Sequence, residues 1–316
     1  MISAPPPAGR TWRGGSVPDR PALGLQRRAT TARIACQRVA NGLVGFCAVD
    51  SLTLHTATRR WLMERYDELT REYPALPHQA CAKNGFHYQP EARGIFPRYH
   101  VVEAILVEVE RLDPDLLPEL AGLVDALVEA ADGAHSPLTQ PAGNEVEAEA
   151  MAAERRLFRS TVHGWLAGGD LRVEPLAYRR VLTPVEAAAQ QEQLRRRWGL
   201  VDRCWYPLLA DPIPPDVLVL AEAAMWDEQG IAHVRHALRE MGGRRVIELR
   251  EDGTDYLVDV DAVTPRYAGV EGVWSDDTLR WIAYASHEGT VTFGGHLAVA
   301  LHTTWADLDQ WRWSPD

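Results

Sequence analysis

The chain has 316 residues, of which 46% are hydrophobic and 24% charged, and its formal net charge is −11. This length and hydrophobic content are enough to bury a substantial core, which excludes a fibrous or wholly disordered protein. We expect two domains or one large one.

Residues 1–50 differ from the rest of the chain. They contain the run Pro5-Pro6-Pro7 and seven arginines against two acidic residues, with no sustained helical or strand period. We predict a disordered basic arm here. The alternative is that an over-long gene start has added this segment to the native protein.

Residues 55–199 show the periodicity of helices. Helices are predicted over residues 57–73, from Tyr99 to the residue before Pro114, and over residues 116–131, 145–167 and 184–198. The last is the best defined, because Thr183 and Glu186 form a capping-box pattern. The stretch 77–98 is predicted to be a loop, and Glu110 is expected to face solvent. We therefore predict a helical region over residues 55–199.

The pattern changes in residues 200–316. A strand is predicted over 216–221, a helix over 228–241, and two hairpins after it. The first hairpin turns at Asp252-Gly253, a strong hairpin signal, and the second turns through His287-Glu288-Gly289. The tail, residues 296–313, is predicted to be a last strand or a short helix. The fold class predicted is α+β: an all-helical N-terminal region, then an α+β domain with a mainly antiparallel sheet.

The negative charge is concentrated in this second region. Residues 200–316 carry nine arginines and twenty acidic residues, a net charge of −11. Such a field repels nucleic acid phosphates and anionic membranes and attracts basic proteins or peptides. We expect no nucleic acid or membrane as a partner of this region. The alternative is that the charge serves solubility only.

Signals for compartment, cofactor and metal are few. The four cysteines have no zinc-binding spacing, and their number is ordinary for a reducing compartment. No apolar run approaches the ~18 residues of a membrane span. The only lysine, Lys83, lies in a polar stretch that does not suit a Schiff base. His233 and His236 have helical spacing but lack a third ligand. We expect a cytoplasmic bacterial protein with no cofactor and no metal.

The tripeptide Ser286-His287-Glu288 contains the residue types of a hydrolytic triad. Adjacent residues of a strand point to opposite faces, so His287 cannot bond both neighbours as a triad requires. A purely structural role in ordering the hairpin is the alternative. If the chain is an enzyme, these three residues are the catalytic candidates.

Tryptophan is enriched in and just before the acidic region, since residues 198–316 contain eight of the eleven. Tryptophan beside carboxylates is typical of a contact surface for a basic partner, and equally of a sugar-stacking cleft. The binding candidates on this basis are Trp274, Trp281, Glu271, Asp276 and Asp277. The alternative is a tryptophan-rich core.

Two functions are compatible with these patterns. The first is a protein-interaction module that binds a basic protein or peptide, in the manner of an antitoxin, immunity or inhibitor protein. The second is a hydrolase whose pocket lies between the two regions, with His287 as base and Glu288 or Glu271 as acid or orienting group.

Overall fold

The computed structural model describes residues 49–73, 90–139, 144–209 and 214–314. Of the predicted basic arm, only Val49 and Asp50 belong to the described residues, and residues 77–89 of the predicted loop lie outside them. All described residues fall within one compact unit, Phe46–Asp316. Within the described ranges, no helix combines the length and apolar character needed to cross a bilayer.

The N-terminal part of the described chain is helical. Its four helices are α1 (Ser51–Glu72), α2 (Pro90–Val109), α3 (Leu120–Gly133) and α4 (Glu145–Gly168). They bury Leu54, Ile105, Leu127 and Phe158 in a shared core. Because burying such side chains is worth about 2 kcal/mol each, packing rather than helix propensity stabilises this layer.

Two details of this layer differ from the sequence prediction. Helix α2 begins at Pro90 and not near Tyr99, so the predicted loop is helical over its last nine residues. Glu110, expected at the surface, is buried because two arginine side chains, Arg59 and Arg179, pair with its carboxylate. Ion pairing of this kind makes the burial of a charged group tolerable.

The interval 55–199 is not wholly helical, because β1 (Arg179–Val181) lies within it and pairs with the C-terminal sheet. The helix that follows, α5 (Pro184–Trp198), agrees with its prediction. The Thr183 hydroxyl accepts from the Glu186 N–H at 3.2 Å, and the Glu186 carboxylate accepts from the Thr183 N–H at 2.7 Å. These two bonds form the predicted capping box.

A seven-stranded antiparallel sheet dominates the C-terminal part, with strand order β1-β4-β3-β5-β6-β7-β2 among the described residues. The other strands are β2 (Val217–Ala221), β3 (Arg245–Arg250), β4 (Tyr256–Asp259), β5 (Gly272–Ser275), β6 (Trp281–Ser286) and β7 (Thr290–Gly295). The α+β fold is therefore confirmed. Both predicted hairpins are present, as β3–β4 and β6–β7.

The two faces of the sheet are covered differently. One face packs on α6 (Glu228–Glu240) and α7 (His296–Thr304), around Trp281 and Phe293. The opposite face packs on α5 and on the segment 200–209, which contributes Trp205. Both faces of the central strands are thus dry, which explains why β5, β6 and β7 are buried along their whole length.

The two outer strands are short, and their free edges are occupied. At β1, the Val181 N–H donates to the Glu110 carbonyl at the end of α2, at 2.8 Å. At β2, Arg312 forms an isolated bridge with Leu220, and the Trp313 N–H donates to the Val219 carbonyl at 3.1 Å. Both edges therefore have part of their backbone hydrogen-bonding capacity satisfied.

Candidate active site

A polar cluster lies at one end of the sheet, where β5 begins and β6 ends. Glu271 immediately precedes β5, and its backbone carbonyl accepts from the Glu251 N–H at 3.0 Å. Side chains two residues apart on a strand share a face, so Glu271 lies on the face of Val273. Val273 pairs with Tyr284 of β6, and Ser286 follows Tyr284 by two residues. The register thus brings Glu271, Tyr284 and Ser286 together.

The Glu271 carboxylate accepts five hydrogen bonds, although its side chain is only 4% exposed. Oε2 accepts from the Tyr284 hydroxyl and, at 3.3 Å, from the Cys204 thiol. Oε1 accepts from the Ser286 hydroxyl at 3.3 Å, the His287 N–H at 3.2 Å and His287 Nδ1. This many donors is what a buried carboxylate requires to remain ionised.

The electrostatics of the cluster follow from these bonds. Burial raises the pKa of Glu271, but the hydrogen bonds from Tyr284 and His287 outweigh it, so the pKa lies below its usual value. Burial, together with the Glu271 carboxylate, raises the pKa of Tyr284. Burial likewise raises the pKa of the Cys204 thiol. The site therefore holds one carboxylate anion whose hydroxyl and thiol partners stay protonated, and Cys204 is not an activated thiolate.

Cys204 reaches the cluster through a tight reversal of the chain. Asp202 and Arg203 both have left-handed backbone conformations, with φ of 47° and 68°. The Arg203 guanidinium holds the reversal in place, because its NH1 donates to the Asp255 carboxylate at 2.7 Å and to the Arg250 carbonyl at 2.6 Å. Left-handed conformations are costly for residues other than glycine, and contacts of this kind offset the cost.

His287 is the exposed member of the cluster, with 63% of its side chain accessible to solvent. Its Nδ1 is bonded to Glu271, while Nε2 lies 3.1 Å from a carboxylate oxygen of the exposed Glu288. The hydrogen bond to Glu271 is the main cause that raises the pKa of His287. Carboxylate contacts at both ring nitrogens suit the charged imidazolium; in the neutral form, with the proton kept on Nδ1, the exposed Glu288 can no longer accept from Nε2, whose lone pair can then serve as a general base.

The three catalytic candidates Ser286, His287 and Glu288 make separate contacts. The Ser286 hydroxyl donates to Glu271 and accepts from the Glu288 N–H at 3.1 Å, and it makes no bond to the His287 ring. Glu288 contacts His287 only from the solvent side. Of the two acids considered as orienting group, Glu271 is therefore the one that contacts the imidazole from the buried side, at Nδ1.

The predicted binding surface does not form as expected. Trp274 and Trp281 are only 3% and 2% exposed, so they offer almost no surface to a partner, which corrects that prediction. Their indole N–H groups are bonded within the protein, to the buried Glu248 at 3.2 Å and to the half-buried Asp276 at 2.8 Å. Aromatic side chains with one polar atom are well suited to such half-polar core positions.

The acidic members of that predicted surface lie apart. Glu271 is buried at the start of β5, whereas Asp276 and the exposed Asp277 follow its other end. Five residues of extended chain span roughly 16 Å. These three residues cannot form one contact patch with the two buried tryptophans.

Cys204 and Tyr284 are the site residues that the sequence analysis did not identify. Tyr284 carries a partial signal, since it lies two residues before Ser286 on a predicted strand and must share its face. Cys204 carries none, because 67 residues separate it from Glu271. Only the packing of the segment 200–209 on the sheet brings the thiol to the carboxylate.

Two depressions in the surface bear on function. A cleft of about 710 Å³ lies between α1 and α2 and the strands β1, β3 and β4, and His287 does not line it. A smaller depression of about 490 Å³ is lined by the exposed Tyr206 and Leu209 and by the half-buried Val217. The Tyr206 ring lies 6.4 Å from the ring of Tyr284, so the smaller depression borders the cluster.

Within the described ranges, no group of three or more histidine, cysteine or acidic side chains is placed to hold a metal ion. His233, one of the two histidines with helical spacing, stacks on Trp305 at 4.6 Å. No family model, curated protein or solved structure matches the chain. The case for a function therefore depends on the geometry of the site.

Proposed function

We propose that the protein is a hydrolase in which His287, oriented by Glu271, activates a water molecule. The observation that carries this proposal is the pairing of a buried, ionised carboxylate with an exposed imidazole through Nδ1. With the Nδ1 proton held by Glu271, Nε2 can take a proton from water in the neutral form and return one in the charged form, which requires the exposed Glu288 to turn away from Nε2.

Water is the nucleophile in this proposal because the side-chain nucleophiles are already committed. Cys204 and Ser286 both donate to Glu271, and neither is bonded to the His287 ring. An activated serine or cysteine would instead donate to the base.

The surroundings favour a positively charged substrate. Glu251 and Glu288 are both exposed and lie close enough to His287 to raise its pKa. Carboxylates around a site attract cations and repel anions. The smaller depression beside Tyr206 offers aromatic and apolar side chains for the rest of the substrate, together with one charge of each sign from Arg197 and Asp216.

The test is a panel of arginyl, alanyl and glutamyl amides of aminomethylcoumarin and the corresponding 4-nitrophenyl esters. We expect the arginyl compounds to be turned over fastest, and H287Q to lower kcat/KM by about 10²–10⁴-fold. The matched control is H236Q, since His236 is an exposed histidine on α6. Equal rates for H287Q and the parent protein, or no turnover above background across the panel, would contradict the proposal.

The pH profile gives a second readout that a purely structural role of Glu271 would not produce. Since the base must be neutral, kcat/KM should rise with pH and level off above the raised pKa of His287. In E271Q the main cause of that raised pKa is lost, so the rise should move to lower pH. A midpoint unchanged in E271Q would exclude Glu271 as the orienting group.

Binding of a basic protein or peptide remains the second candidate, favoured by the exposed carboxylates of Glu251, Asp252 and Glu288. A nona-arginine peptide is a suitable probe. For a binder, its affinity should fall steeply with added salt and should survive the H287Q substitution. Salt-independent affinity would argue against this function.

A further inference from the structure

The larger cleft has the dimensions of a small-molecule site. Its volume of about 710 Å³ lies within the ~300–1,000 Å³ that such sites occupy. One side is formed by α1 and α2, which contribute the apolar side chains of Met63, Leu106 and Val107. The other side carries charged groups from the sheet. Because His287 does not line this cleft, an inference about it is independent of the proposed hydrolase.

Three arginine side chains line the cleft and share two buried carboxylates. Arg59 donates to Glu110 Oε1 from Nε at 3.1 Å and from NH2 at 3.0 Å, and Arg179 donates to Oε2 at 3.2 Å. Arg250 donates to Glu248 at 2.7 Å. The side chains of Glu110 and Glu248 are 3% and 2% exposed. These three arginines and two glutamates together have one positive charge in excess.

We assign the excess positive charge to Arg179, because Arg179 shares the single carboxylate of Glu110 with Arg59. Its guanidinium lies 3.6 Å above the centre of the Tyr256 ring, and 26% of its side chain is exposed. A guanidinium has five N–H donors in a planar fork; that of Arg179 is bonded to Glu110 through Nε and also to the Tyr256 side chain, which leaves further donors for a ligand. A ligand carboxylate would bring the cluster to three cations and three anions.

The mouth of the cleft limits the charge of a ligand. Asp67, Glu103 and Asp252 line it and are exposed to solvent. Water screens them from the buried arginines, yet they repel a multiply charged anion on its way in. A single negative charge on an apolar body fits both the mouth and the interior.

We propose that the cleft between α1, α2 and the sheet binds a carboxylate with an apolar chain, its carboxylate paired with Arg179 and its chain against Met63, Leu106 and Val107. Octanoate serves as the probe in isothermal titration calorimetry on the whole chain. Octan-1-ol lacks the charge, octylamine reverses it, and octyl phosphate adds a second negative charge. We expect octanoate to bind at least tenfold more tightly than each of the other three.

Two variants locate the binding. A177F places a ring in the cleft and should weaken octanoate at least tenfold, whereas A189F on the exposed face of α5 should not. R179K keeps the charge but loses the planar fork, and should weaken octanoate about tenfold without changing octanol binding. Arg172 is 88% exposed, so R172K is its control.

Three outcomes would overturn the proposal. The first is no heat of binding from octanoate at millimolar concentration. The second is equal affinity for octanoate and octanol, which would mean that the arginines contribute nothing. The third is octanoate binding that A177F and R179K both leave unchanged while each variant retains the parent melting temperature, which would place the ligand elsewhere.

Discussion

His55 is a buried histidine whose environment opposes protonation. It lies in α1, is 1% exposed, and its Nε2 is 3.2 Å from the Val109 carbonyl oxygen. Burial lowers its pKa to about 4. In the unfolded chain the pKa is about 6.5. Between these two values the unfolded state binds the proton and the folded state does not, so stability is lost as the pH falls from 6.5 towards 4.

This difference predicts a specific acid sensitivity. Between pH 7 and pH 5, His55 should cost the folded state about 2 kcal/mol. In H55Q, which cannot titrate, the drop in the free energy of unfolding over this interval should be smaller by about that amount. Urea unfolding at the two pH values measures it, with H302Q as an exposed control. If the free energy of unfolding falls equally in H55Q and in the parent chain, His55 is not the cause of the acid sensitivity.

At the scale of elements, the start of α6 depends on a glycine. Asp227 caps the helix by accepting from the N–H groups of Gln229 and Gly230. A Cβ atom at Gly230 would lie 1.7 Å from the Ala224 carbonyl oxygen, far inside contact distance. The backbone before α6 and the helix itself can therefore pack this closely only with glycine at this position.

Two glycine-to-alanine variants test this close approach. G230A should destabilise the protein by at least about 2 kcal/mol, because backbone atoms must move. Gly164 lies in α4 with nothing within 4 Å of its Cβ position, so G164A should stabilise by about 0.5–1 kcal/mol through helix propensity. Thermal unfolding compares the two. A G230A protein as stable as the parent would show that α6 can shift without cost.

The sequence predicts an element well when the residues that define it are close together in the chain. Helix α5 was predicted well because Thr183 and Glu186 define its start within four residues. Strand β5 was missed, since four buried residues show no alternation. Helix α2 begins earlier than predicted although Pro97 weakens its local signal; in this early part Arg98 pairs with the buried Glu154 of α4, a contact that the local sequence does not reveal.

The same limit applies to the candidate site. His287 and Glu271 were both predicted as functional residues, but their contact depends on the register of β5 and β6. Composition identified a tryptophan-rich region but could not distinguish surface from core, and Trp274 and Trp281 belong to the core. Partners distant in sequence, such as Cys204, follow only from the packing of the whole chain.

At the scale of the whole molecule, Glu110 couples the helical layer to the sheet. Its side chain holds Arg59 of α1 and Arg179 of β1, and its carbonyl accepts from Val181. Removing one partner of a buried ion pair leaves uncompensated charge and costs about 3–5 kcal/mol. Both layers should therefore respond to the loss of this one side chain.

We expect E110A to lower the free energy of unfolding by about 3–5 kcal/mol. We also expect the helical layer and the sheet to unfold in two distinct transitions in this variant. The parent chain should show one transition by circular dichroism and by tryptophan fluorescence. E108A, which removes a more exposed ion pair on the same helix, should change stability by less than about 1 kcal/mol. Coincident transitions in E110A would show that other contacts carry the coupling.

The occupied edges of the sheet have a consequence for association between molecules. An open edge strand is a template onto which a second chain can add, and this addition leads to fibres and domain exchange. The backbone of Arg312 and Trp313 occupies that position beside β2. The end of the described chain therefore occupies the position that a second molecule would take beside β2. This edge is protected from strand addition only while that short segment stays in place.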